Sequence, residues 1–163
     1  MNAREAIRLN IDCANGICQG YLADLTDAEL LVRPVPGANH IAWQLGHLLT
    51  SERNMVEEVC PGSMPALPAG FAEKYTTETA ALDAPSAFHS KSVYMDLFER
   101  MRSATAIALE KLTDADLDKP APEKMRDYVK SVGDLFSLQG THWVMHAGQW
   151  AVVRRKLGRK PLY

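Results

Sequence analysis

His142 and His146 stand four residues apart in Gly140-Thr141-His142-Trp143-Val144-Met145-His146-Ala147-Gly148-Gln149-Trp150. On an α-helix of about 3.6 residues per turn, side chains at that spacing share a face, with Cβ atoms roughly 5–6 Å apart. Two imidazoles so placed can aim ring nitrogens at one metal ion, at about 2.0–2.1 Å each. A third histidine, His47, follows in His40-Ile41-Ala42-Trp43-Gln44-Leu45-Gly46-His47-Leu48. Three histidines from two helices would leave a metal with an open position, the arrangement of catalytic rather than structural zinc. From spacing alone the competing reading stays open: histidines on an inward face, each satisfied by a buried partner. His40 is nearly in register with His47 but about 10.5 Å away along the axis, too far to share an ion. It reads as a helix-start residue near the surface, and His89 as an exposed loop residue without a partner.

The elements that must position these residues are helical. Four long segments carry a 3.6-residue apolar period and none reads as a strand. The first spans about residues 3–25, with Ile7, Ile11, Ala14, Cys18, Tyr21 and Leu25 on one stripe. The second starts near Ala38 or Asn39, with Asn39 as its cap, and ends near Val59 before Cys60-Pro61-Gly62. The third spans about Ser90 to Leu112. The fourth spans about Ser131 to Leu157 and stops at Gly158. On its inward face lie Leu135, Gln139, His142, His146, Gln149 and Val153. Residues 61–88, with Pro61, Pro65, Pro68 and Pro85, form the longest irregular region, of the kind that is usually functional or mobile. Leu25-Thr26-Asp27-Ala28-Glu29-Leu30 recurs as Leu112-Thr113-Asp114-Ala115-Asp116-Leu117, each after a long helix and before a Pro-x-Pro. The spacing predicts an all-α, pseudo-symmetric four-helix bundle formed as a single domain over 1–163.

Composition narrows the function classes. Net charge is -2 over 163 residues, with 47% hydrophobic and 23% charged. No basic stripe marks a nucleic-acid partner. The cluster Arg154, Arg155, Lys156, Arg159 and Lys160 sits where a helix C-terminus favours cations. No apolar run approaches the roughly 20 residues of a membrane span, and no signal peptide is expected. Three cysteines, Cys13, Cys18 and Cys60, lack C-x-x-C spacing, so neither a disulfide framework nor a cysteine zinc site is expected, and a cytoplasmic location fits. The Glu-x-x-His pairs of a di-iron bundle, nucleophile elbows and phosphate-binding loops are absent.

The segment from Asn39 through Trp43 and Gly46-His47-Leu48 resembles the second-helix motif of the DinB-like (DinB/YfiT) superfamily. His142-x3-His146-x-Gly148-Gln149, followed by Arg154-Arg155 and Leu157-Gly158, resembles that superfamily's fourth-helix motif. The Leu-Thr-Asp-Ala-Glu-Leu turn also fits, and the resemblance runs over essentially the whole chain in order. It implies a DinB/YfiT-like four-helix bundle of up-up-down-down type and often a homodimer. It also implies a mononuclear metal site, which here falls on His47, His142 and His146. Some relatives carry Glu at the position of His142; with His there, all three ligands are neutral. The implied cofactor is a divalent metal ion, zinc first and nickel second.

For function, the resemblance points to a metal-dependent enzyme, with low-molecular-weight-thiol-dependent transferases among its relatives. The alternatives are a metal-dependent hydrolase and a non-catalytic metal-binding stress-response protein. Gln44, Gln149 and Asn54 could orient water or substrate, Glu52 could approach the mouth, and a small-molecule substrate or thiol is the expected partner.

Overall fold

In a computed structural model, which describes residues 1–162, five α-helices and several short 3-10 turns account for the regular structure. The long helices are α1 (Ala3–Leu22), α2 (Ile41–Val59), α3 (Lys91–Glu110) and α5 (Val132–Lys156); α4 (Asp114–Leu117) is a single turn. Among the described residues no strand forms, and the expected all-α four-helix bundle is what is seen.

Local chemistry sets the helix ends. Asn2 accepts from the Glu5 backbone N–H while Glu5 accepts from that of Asn2, a capping box. Ser131 and Asp134 do the same at α5. The two copies of the recurrent hexapeptide fold alike. Thr26 pairs with Glu29, and Thr113 with Asp116, through reciprocal backbone and side-chain bonds. Gly158 ends α5 at φ 74°, a conformation glycine adopts without steric cost.

The helices form a ring in which α1 lies against α5 and α3, and α2 against α3 and α5. Hydrogen bonds give their senses. Asn10 reaches Ser137 and Arg154 reaches Tyr21, so α1 and α5 run parallel. Gln44 meets Trp150 while Glu52 meets Trp143, so α2 opposes α5. Arg4 reaches Glu110 and Arg102 reaches Asn15, so α3 opposes α1. The order is therefore up-down-down-up, which corrects the up-up-down-down expectation. Because α2 and α3 run parallel, the chain must travel back about 28 Å between them. That return explains the length of the 60–90 connection.

This connection is packed rather than loose. Phe71 and Tyr75 are buried. The Tyr75 hydroxyl bonds to His89 Nδ1 and to the Tyr94 hydroxyl, both at 2.7 Å. A Cβ on Gly46 would lie 2.3 Å from the Tyr75 ring, so that turn of α2 must be glycine for the ring to seat.

One polar network crosses the core and ties all four long helices. Glu52 and Arg102, 1% and 3% exposed, pair at 2.8 Å. Glu52 also accepts from Thr105 at 2.5 Å and from the Trp143 indole at 2.6 Å. Arg102 donates further to Asn15 and to the Gln139 carbonyl. Every partner is supplied, as burial of charge requires. Cys13, Cys18 and Cys60 are free, and burial pushes the Cys18 thiol up to about 12, which keeps it neutral.

Candidate metal centre

The antiparallel contact of α2 and α5 brings His47 to the turn of α5 that carries His142 and His146. Their ligand-capable nitrogens all lie within 4.8 Å of one another. Ring centroids are 5.4 Å apart for His47 and His142, 5.6 Å for His47 and His146, and 5.0 Å for His142 and His146. His146 is buried, and His47 and His142 are half-buried, so the cluster lies largely beneath the surface. No carboxylate or thiol belongs to it.

Gln44 fixes the chemistry of His146. Its Oε1 accepts from the Trp150 indole N–H at 2.8 Å, and its Nε2 donates to the Asn39 carbonyl at 2.6 Å. An indole nitrogen only donates and a carbonyl only accepts, so both partners demand the same amide orientation. The same Oε1 is 3.0 Å from His146 Nδ1. That nitrogen must therefore carry the proton, which leaves the Nε2 lone pair free. Gln149 completes the arrangement by accepting from Gln44 Nε2 at 3.0 Å. Among the described residues His47 has no hydrogen bond of this kind. Its ring instead stacks on Trp43, with centroids 5.2 Å apart and planes 6° from parallel.

Burial holds all three imidazoles below their ordinary range, and mutual repulsion of the charged forms adds to it for His142 and His146, which are lowered to about 4. Neutral rings are the form that ligates metal. Three neutral nitrogens, one with its tautomer set for ligation, fit a borderline divalent ion and not the oxygen-seeking Ca²⁺ or Mg²⁺.

Other expected site residues fall elsewhere. Glu52 does not reach the mouth: three donors hold it in the core network. Asn54 is exposed and accepts from its neighbour Arg53. His40 begins α2 as expected, yet it is fully buried rather than near the surface. It, not Asn39, is the N-cap: Nδ1 accepts from the Trp43 backbone N–H, and Nε2 faces the Leu82 carbonyl. His89 is half-buried, bonded to Tyr75 and stacked on Phe71, because the crossover folds over it. In the basic cluster at the C-terminal end of α5, Arg154 and Arg159 have structural partners: both bind Asp24, and Arg159 also binds Glu29. Trp43, part of the second-helix motif and one turn before His47, meets it by stacking, the contact that i, i+4 spacing allows.

Among the described residues no helix is long and apolar enough to cross a membrane. No curated protein matches the chain. A solved structure, described as the crystal structure of a conserved protein from Enterococcus faecalis, is similar to it at 18% identity and a TM-score of 0.71. The match covers 98% of this chain and 99% of that one, and at this identity it shows the fold alone. The model of the DinB superfamily matches residues 18–150, a span that includes α2, α3 and all three clustered histidines. The chain belongs to the DinB superfamily.

Proposed function

We propose that His47, His142 and His146 hold one divalent metal ion, zinc first and nickel second, and that the protein is a metal-dependent enzyme acting through a low-molecular-weight thiol. The observation that carries this reading is the Gln44 amide, which sets a donor against the carbonyl of Asn39 and an acceptor against His146 Nδ1. A histidine that only packed in the core would gain nothing from a free Nε2 lone pair beside two other imidazoles. When bound, the ion supplies Lewis acidity at an open position, lowering the pKa of a thiol or water there.

The protein's own groups favour a thiol over water. Attack by water is commonly assisted by a positioned general base. The acid nearest to that role by sequence, Glu52, is committed to Arg102, Thr105 and Trp143. A thiol ionised at the centre needs no such base. The half-buried Gln149, three residues after His146 on α5, is placed to contact a bound molecule beside the histidines.

The test is metal analysis of untagged protein, followed by thiol-dependent turnover of a generic electrophile. About one ion per chain and turnover lost in His146→Ala support the reading. Full metal retention in His47→Ala and His146→Ala rejects the site. Metal without thiol-dependent turnover rejects the transferase.

A further inference from the structure

The three histidines are held in different ways. His146 is oriented by a hydrogen bond to Gln44, whereas the His47 ring is set by its stack on Trp43. Offset stacking at this separation fixes a ring plane but is less directional than a hydrogen bond. The position of Trp43 therefore decides the position of His47.

Trp43 is in turn held from outside its own helix. Its indole N–H donates to the Thr76 carbonyl at 3.1 Å and to Thr79 Oγ1 at 3.2 Å. Its backbone N–H is capped by His40, whose other ring nitrogen meets the Leu82 carbonyl at 3.1 Å. Arg33 binds the same stretch through the carbonyls of Ala80 and Leu82 and the Asp83 carboxylate. Thr79 Oγ1 is also the acceptor for the Thr76 backbone N–H, at 3.0 Å, so one hydroxyl sets both the turn and the indole contact. Upstream, the Tyr75 ring sits on Gly46, the neighbour of His47. Residues 75–82 of the crossover thus grip the first turns of α2 from Tyr75, Thr76, Thr79 and Leu82.

We infer that Thr79 and Trp43 are positioning residues for His47, so that the 75–82 segment of the crossover sets the metal affinity of the centre. This rests on the proposed metal site, and it adds that His47, the ligand from α2, is adjustable while His146 on α5 is held by Gln44. A ligand or partner that lifted the segment would loosen His47 without touching any of the three clustered histidines.

The test compares Thr79→Val, which keeps the shape and removes the hydroxyl, with Thr79→Ser, which keeps the hydroxyl. Two readouts are taken. In metal-free protein, imidazole ¹H–¹⁵N spectra are recorded; Thr79→Val shifts the His47 ring resonances and leaves those of His146 in place, while Thr79→Ser shifts neither. With Zn²⁺ in competition against a chelator, Thr79→Val binds about tenfold more weakly and Thr79→Ser binds as wild type. A Thr79→Val protein with unshifted His47 resonances overturns the inference, as does one with wild-type affinity. If wild type binds no Zn²⁺ while Thr79→Val still moves the His47 ring, the metal reading fails and the mechanical link stands.

Discussion

Gln44 Oε1 lies 3.0 Å from His146 Nδ1 while the same amide donates to the Asn39 carbonyl at 2.6 Å. Gln44 fixes the protonation of His146 through a side chain that cannot flip. Outer partners of metal-ligating histidines typically contribute 10–100-fold in affinity. Gln44→Leu is therefore expected to weaken Zn²⁺ binding by about that factor with stoichiometry unchanged, measured by chelator competition. An unaltered affinity would mean that Gln44 serves packing alone.

The Glu52–Arg102 pair, buried at the meeting point of four helices, should dominate stability instead of activity. Arg102→Met leaves the Glu52 carboxylate without its cation and should cost about 3–5 kcal/mol in urea unfolding. The double variant Glu52→Leu/Arg102→Met removes both charges and should recover a good part of that loss. A single variant no less stable than the double would contradict this role.

Gly46→Ala places a methyl 2.3 Å from a tyrosine ring that is itself pinned by two hydrogen bonds. Overpacking of this kind costs about 1–3 kcal/mol. Unfolding should show that loss, although alanine has the higher helix propensity.

Acid should destabilise the protein through His40. Burial lowers its pKa, and its Nδ1 is occupied by the Trp43 N–H, so the folded state resists a proton that the unfolded chain takes up near 6.5. The unfolded state then binds more protons, and stability falls as pH drops from about 6.5, by at most about 1.4 kcal/mol per pH unit for this group. His40→Asn keeps a capping side chain without the titration. Its stability should change less between pH 7.5 and 5 than that of wild type; equal slopes would exclude His40 as a source.

What could be read in the sequence was what repeats along one helix. The i, i+4 spacing of His142 and His146, the inward face with Gln139 and Gln149, and the recurrence of the 25–30 hexapeptide at 112–117 are local patterns, and each has its expected place, whereas the cap expected at Asn39 falls on His40. Relations between distant segments were not legible. His40 looked superficial because its cover, the Leu82 carbonyl, is 42 residues away in the crossover. Glu52 looked free because nothing in α2 announces Arg102, Thr105 and Trp143. His89 looked solitary because Phe71, Tyr75 and Tyr94 reach it only once the chain returns along α2. The helix senses, likewise, follow from packing and not from any periodicity.

The most direct test of the metal centre is elemental analysis of untagged wild type beside His47→Ala, His142→Ala and His146→Ala, each first checked for a wild-type helical signal. About one divalent ion per wild-type chain, and near none in each folded variant, is expected. Metal-free wild type after exposure to Zn²⁺ and Ni²⁺, or full metal content in the three variants, would contradict a centre built from these histidines.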